Sequence, residues 1–137
     1  MAADRRRDRK PVALTTLELE VMDVVWDLGD CRSAQVIAAF ARKRPLAPTT
    51  IRTVMSALHR KGYIKPIPNI GRGFLFRPAI PRENVARQSL REMLGSLFHD
   101  SPGAAIAYLL EDERVSDEEL DEIRRMIDRR KREGERR

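Results

Sequence analysis

Ala47-Pro48-Thr49-Thr50-Ile51-Arg52-Thr53-Val54-Met55-Ser56-Ala57-Leu58-His59-Arg60-Lys61-Gly62 is the stretch whose reading decides the fold. Pro suits the first position of a helix, where its missing N–H would have no intrahelical partner anyway, and Gly62 supplies a stop. The spacing predicts a helix of about four turns. Ile51, Val54, Met55 and Leu58 fall on one stripe, so at 100° per residue the opposite face is centred on Thr49, Thr53, Ser56 and Arg60, flanked by Arg52 and Ala57. Thr is a mediocre helix former. Thr49, Thr50 and Thr53 in the first two turns are either plain solvent-facing and capping residues or are kept for what their hydroxyls can bond.

Upstream, Thr15 and Glu18 have capping-box spacing and Leu14 and Leu19 can form a hydrophobic staple, which starts a first helix. Leu17, Val21, Val24, Val25 and Leu28 recur at helical spacing before Gly29, with Trp26 adding apolar area. Ser33 is the expected N-cap of a shorter second helix carrying Val36, Ile37 and Phe40 and ending in Arg42-Lys43-Arg44 before Pro45. That basic run reads equally as a solvated helix end and as a phosphate contact.

Downstream, Tyr63 to Ile67 and Phe74 to Arg77 read as two short strands around the turn Pro68-Asn69-Ile70-Gly71-Arg72-Gly73. Pro66 and Pro78 point to edge strands. Two helices, a turn, a helix with a small polar outer face and a hairpin form the order of a winged helix-turn-helix. A helix enters the major groove of duplex DNA only if its outward residues are short or able to bond base edges, and Thr49, Thr50, Arg52, Thr53 and Ser56 satisfy that condition. Arg60, later on the helix, is expected at phosphate, and Arg72 at the hairpin tip at backbone or minor groove; Lys65 and Arg77 are weaker candidates.

The rest is helical. Ala86, Leu90, Met93, Leu94 and Leu97 share a face between Glu83 and Phe98. A second piece, Ala104 to Leu110, includes Ile106 and Leu109, and a third opens at Val115-Ser116 with Leu120, Ile123, Met126 and Ile127 as its stripe. About 55 residues with one Tyr and one Phe have little to bury alone, so a partner copy is expected to cover Leu90, Met93, Leu94, Leu97, Ile106, Leu109, Leu120, Ile123 and Ile127. The expected organisation is a disordered basic arm over 1–11, the winged helix over 12–80, a helical dimerisation domain over 81–132 and a frayed charged tail over 133–137. The arm is either a solvated tail or a contact to the DNA backbone.

Charge agrees with this division. Residues 1–80 hold 15 Lys and Arg against 7 Asp and Glu, whereas 81–137 hold 12 against 14, so the basic excess lies in the first part of a chain whose net charge is +6. A polyanion partner follows from that distribution better than from the total. Cys31 is the only cysteine, which rules out an intramolecular disulfide and a cysteine-rich metal site and suits a reducing cytoplasm. No apolar run approaches a signal core or a membrane span, so a soluble protein without membrane insertion is expected.

Leu17-Glu18-Leu19-Glu20-Val21-Met22-Asp23-Val24-Val25-Trp26 and Thr50-Ile51-Arg52-Thr53-Val54-Met55-Ser56-Ala57-Leu58-His59-Arg60-Lys61-Gly62 together resemble the first-helix and recognition-helix signatures of the penicillinase-repressor family of BlaI, MecI and CopY regulators. The resemblance covers about residues 12 to 130. It implies a homodimeric repressor whose recognition helices read the halves of a palindromic double-stranded operator, with C-terminal helices in the dimer contact. Ala57 stands where members commonly have Arg, and the cysteine-rich C-terminal motif of the copper-responsive branch is missing, which disfavours copper release. In the antibiotic-responsive branch, release follows cleavage by a membrane sensor protease, but no pattern here fixes a scissile bond, and the inducing signal stays open.

Enzyme chemistry finds no support. His59 and His99 are isolated, no zinc-protease or Walker motif occurs, and Gly71-Arg72-Gly73 is too short to cradle phosphate; no cofactor and no metal are expected. Two other readings stay open: a winged-helix protein-interaction module, and a small-molecule-responsive regulator of another winged-helix family.

Overall fold

Thr15 and Glu18 close on each other as their spacing requires. In the computed structural model, which describes residues 12–68 and 74–136, the Thr15 N–H donates to Glu18 Oε1 at 2.8 Å and the Glu18 N–H to Thr15 Oγ1 at 3.2 Å. This capping box opens α1, Thr16–Leu28, and Gly29 ends it at φ 74°, donating its N–H to Val25. The buried face is Val21, Met22, Val24 and Val25. Leu28, expected in the core, is 41 % exposed, while Met22 is fully buried in its stead, because Leu28 lies in the last turn beside the glycine stop.

The second helix, α2, runs Ser33–Phe40, and Ser33 is its first residue rather than its N-cap. Arg32 holds the cap position, and its N–H is satisfied by Gln35 Oε1 at 2.8 Å, so a glutamine reaching back replaces the expected hydroxyl. Pro48 opens α3, Pro48–Arg60, as expected, and Gly62 takes φ 83° behind it. Ile51, Val54, Met55 and Leu58 are buried with Val36 and Phe40 of α2, the α1 face, Tyr63 and Ile64. This three-helix core fixes which side of α3 faces outward.

Strands β1, Ile64–Pro68, and β2, Phe74–Pro78, pair antiparallel with Lys65 opposite Arg77 and Ile67 opposite Leu75. Three prolines survive in so short a ladder for a reason visible in its register. The Phe76 N–H and C=O bond to Cys31 at 2.7 and 2.9 Å, so at this position β2 turns its polar groups away from β1. Pro66 faces Phe76, and Pro68 and Pro78 occupy the same alternate set of pairs, where no ladder N–H is required. Cys31 thereby acts as a one-residue third strand stitching the hairpin to the α1–α2 turn. The expected wing tip, Arg72 included, and the basic arm over 1–11 lie outside the described residues.

The chain forms two compact units, residues 1–89 and 90–137. The division falls inside α4, Arg82–Leu97, and not at the 80/81 change of secondary structure. Three contacts hold the first turns of α4 to the first unit. Trp26 Nε1 donates to the Ile80 carbonyl at 2.9 Å, Arg82 bridges Asp23 and Asp27 at 2.7 and 2.9 Å while lying over the Trp26 ring, and Val85 packs on the core.

In the second unit, Ser101 caps α5, Pro102–Glu111, and Ser116 caps α6, Asp117–Glu135, each accepting a backbone N–H with its hydroxyl. None of α4, α5 or α6 has a buried residue. Leu90, Met93, Leu97, Ile106, Leu109 and Ile127 are all at least 43 % exposed, whereas Leu94, Leu120 and Ile123 are half-buried. The helix α6 runs to Glu135, because Arg, Lys and Glu are good helix formers and neither Gly nor Pro interrupts them before Gly134.

Candidate nucleic-acid interface

The block from Cys31 to Arg82 contains 11 Lys and Arg and not one Asp or Glu. Every carboxylate that α1 and the turn after it contribute instead pairs with a cation of that block. Glu18 holds Lys61 at 2.6 Å, Glu20 holds Arg44 at 2.9 Å, Asp23 holds Lys43 at 3.1 Å and shares Arg82 with Asp27, and Asp30 takes Arg77 through two bonds of 2.9 and 2.8 Å. These pairs tie α1 to the ends of α2 and α3, to the hairpin and to α4. They also sort the cations by task.

Arg52 and Arg60 on α3, Arg42 after α2 and Lys65 on β1 are exposed and make no ion pair or side-chain hydrogen bond among the described residues. Lys43, Arg44, Lys61, Arg77 and Arg82 are the ones held in ion pairs. Of the run after α2, only Arg42 is left uncommitted; Arg44 lies over the Phe40 ring as well as on Glu20. Arg77, a weaker candidate for binding, is gripped by Asp30 through two hydrogen bonds. That guanidinium also holds the Asp30 carboxyl below its ordinary range.

On α3 the structure brings Thr49, Arg52, Thr53, Ser56 and Arg60 to the exposed side, with Thr50 half-buried beside them and His59 exposed. Thr53 Oγ1 donates to the Thr49 carbonyl at 3.0 Å, the back-bond of a helical threonine. The face is therefore short side chains, two guanidinium groups without a carboxylate partner among the described residues, and no carboxylate of its own. Such a surface attracts a polyanion and lets it approach the helix backbone closely.

Reasoning from α3 alone missed the role of Lys61. Its ammonium also donates to the Ala13 carbonyl at 3.1 Å, closing the end of α3 onto the start of α1. The signal was present in the sequence as a capping-box glutamate with a lysine just before the helix-ending glycine, but nothing local joins residues 43 apart. Burial raises the Glu18 carboxyl pKa, and the Lys61 hydrogen bond and the two bonds to Thr15 outweigh it, leaving the group below its ordinary value of 4.5. Among the described residues no cluster of His, Cys, Asp and Glu could hold a metal ion, and no helix is long and apolar enough to cross a membrane.

The family model of the penicillinase repressor matches residues 14–129. The penicillinase repressor of Bacillus licheniformis is 24 % identical over 123 residues, covering 90 % of this chain and 95 % of that protein. The methicillin resistance regulatory protein MecI of Staphylococcus aureus is 20 % identical over 122 residues, covering 89 % and 98 %. The solution structure of monomeric Bacillus licheniformis BlaI in complex with the blaP half-operator superposes with a TM-score of 0.48 at 29 % identity, over 55 % of this chain and 90 % of that one. With its first and third helices inside the matched span, the chain belongs to the penicillinase repressor family of winged-helix transcriptional regulators.

Proposed function

We propose that this protein is a DNA-binding transcriptional repressor that sits on a palindromic operator as a homodimer and is released by an inducing signal. The observation that carries the reading is the outer face of α3, where Thr49, Arg52, Thr53, Ser56 and Arg60 are exposed within a block that has no carboxylate. In this reading Thr49, Thr50, Arg52, Thr53 and Ser56 address base edges in the major groove, and Arg60 addresses phosphate, with Arg42 and Lys65 as further phosphate candidates. Arg72 is assigned to the backbone or minor groove on sequence grounds. The Bacillus licheniformis relative, described with a half-operator, supports DNA as the partner.

A second copy is the natural cover for the exposed apolar side chains of α4, α5 and α6, since a monomer would leave them in water. Two copies related by a twofold axis then present two α3 helices to half-sites about 34 Å apart, or a multiple of that. The inducing signal is open, and cleavage through a membrane sensor protease, as in the antibiotic-responsive branch, is one form that release can take. The proposed site of action is the cytoplasm.

Fluorescence anisotropy with a labelled duplex from the protein's own promoter tests the reading. Each well-made base contact contributes about 1–3 kcal/mol of discrimination, so Arg52→Ala combined with Thr53→Ala should weaken specific binding roughly tenfold or more. Equal affinity of the double variant and the parent at moderate salt would sink the assignment of this face.

A further inference from the structure

The last helix is split by charge. Its first two turns carry Asp117, Glu118, Glu119, Asp121 and Glu122, and its later turns carry Arg124, Arg125, Arg129, Arg130, Lys131 and Arg132, with Asp128 among them and Glu133 and Glu135 behind them. Acids at a helix start and bases at its end favour the helix dipole, but that effect fades within one turn of each end. Here the segregation persists to the middle of a helix of 19 residues. Apolar residues stop at Ile127, and everything after it in α6 is exposed, so the C-terminal half is a helix with nothing to bury.

We infer that α6 pairs antiparallel with α6 of a second copy, crossing near Arg124, so that the acidic start of each helix lies along the basic end of the other. This rests on the homodimer proposed above and gives its orientation and register. Leu120, Ile123 and Ile127 fall within about 60° of one another around the helix, and an antiparallel crossing at this point sets Leu120 over Ile127 of the second copy and Ile123 over its own counterpart. Ile127 is 50 % exposed and Met126 51 %, so surface is left to cover. On the flanks, Asp117 meets Lys131 and Glu119 meets Arg130, each pair occurring twice by symmetry. A parallel pairing would set carboxylate against carboxylate at one end and guanidinium against guanidinium at the other. Charge opposes it.

Charge reversal and cross-linking test the pairing in the full chain. Asp117, Glu119, Arg130 and Lys131 are all exposed, and circular dichroism checks that each variant keeps its helices. Arg130→Glu with Lys131→Glu should raise the dimer dissociation constant roughly tenfold by sedimentation at low salt, and adding Asp117→Lys with Glu119→Lys to the same chain should restore it. A mixture of an Asp117→Cys chain and a Lys131→Cys chain should be joined by a short thiol-to-thiol linker, while neither variant alone is joined. The native Cys31 does not interfere, being fully buried. Self-joining of the Asp117→Cys chain alone, or a dimer indifferent to both reversals, overturns the antiparallel pairing and leaves the homodimer standing. A wild-type chain that stays monomeric at high concentration overturns the homodimer itself. Reversals that leave association intact but cut DNA affinity in proportion to lost positive charge would show that the basic half of α6 meets nucleic acid, and would likewise end the pairing.

Discussion

Lys61 Nζ stands 2.6 Å from Glu18 Oε1, and the same carboxylate closes the capping box at the start of α1. One nearly buried carboxylate thus fastens both the first turn of α1 and the last turn of α3. The lysine side chain is 26 % exposed and the glutamate 8 %, so removing the cation strands a desolvated charge. Lys61→Met should destabilise the first unit by about 2–3 kcal/mol, more than the loss from Glu18→Gln, which keeps the shape and removes the charge. Urea denaturation followed through Trp26 measures both, and equal stability of Lys61→Met and the parent would remove the pair from any structural role.

The same carboxylate sets an acid limb. Its folded pKa lies below the ordinary 4.5, so its contribution is fully present above about that pH and is lost as pH falls through the lower folded value. Asp23 is lowered in the same direction, chiefly by its bond to Lys43. Stability measured from pH 6 down to pH 3 should fall through this range, and the Glu18→Gln variant should show a shallower fall.

Salt separates the cations by task. Arg60→Ala should weaken binding about equally on specific and unrelated duplexes and reduce the slope of log affinity against log salt by about 1, because one phosphate contact is lost. Arg77→Ala should leave that slope nearly unchanged, its guanidinium being held by Asp30. A full-unit change of slope for Arg77→Ala would reverse the sorting.

Trp26 is the only tryptophan, and its indole N–H is bonded to Ile80 with Arg82 over its ring. Arg82→Ala should lower stability only slightly, since the pairs with Asp23 and Asp27 are largely exposed, and should alter Trp emission in the folded state. Unchanged emission would mean that α4 is held at its start by other contacts.

Cys31 has no solvent exposure, and burial, then the neighbouring Asp30 charge, push its thiol up. Its reaction with a thiol-specific disulfide reagent should be slowed on the order of a hundredfold or more relative to the unfolded chain, and denaturant should abolish that protection. Rapid labelling of the native protein would contradict the stitched hairpin.

Helix boundaries and the outer face of α3 were legible because they depend on local signals: Thr15 with Glu18, Pro48, Gly62 and the spacing of Ile51, Val54, Met55 and Leu58. Contacts over long sequence distance were not. Nothing near Arg77 announces Asp30, nothing near Phe76 announces Cys31, and Ser33 looked a better cap than Arg32 until Gln35 was seen to supply the acceptor. The acid-free block from Cys31 to Arg82 was readable in the sequence, yet totals over 1–80 mix it with the carboxylates of α1 that neutralise part of it.

The back-bond from Thr53 to the Thr49 carbonyl has a consequence for reading a duplex. A hydroxyl whose proton is already spent on its own backbone has only a lone pair and a methyl group to show. Such a side chain can receive the exocyclic amino hydrogen of adenine or cytosine, or rest against the methyl of thymine. On the reading proposed for this face, Thr53 would have no hydrogen to offer the keto oxygen and ring nitrogen of guanine.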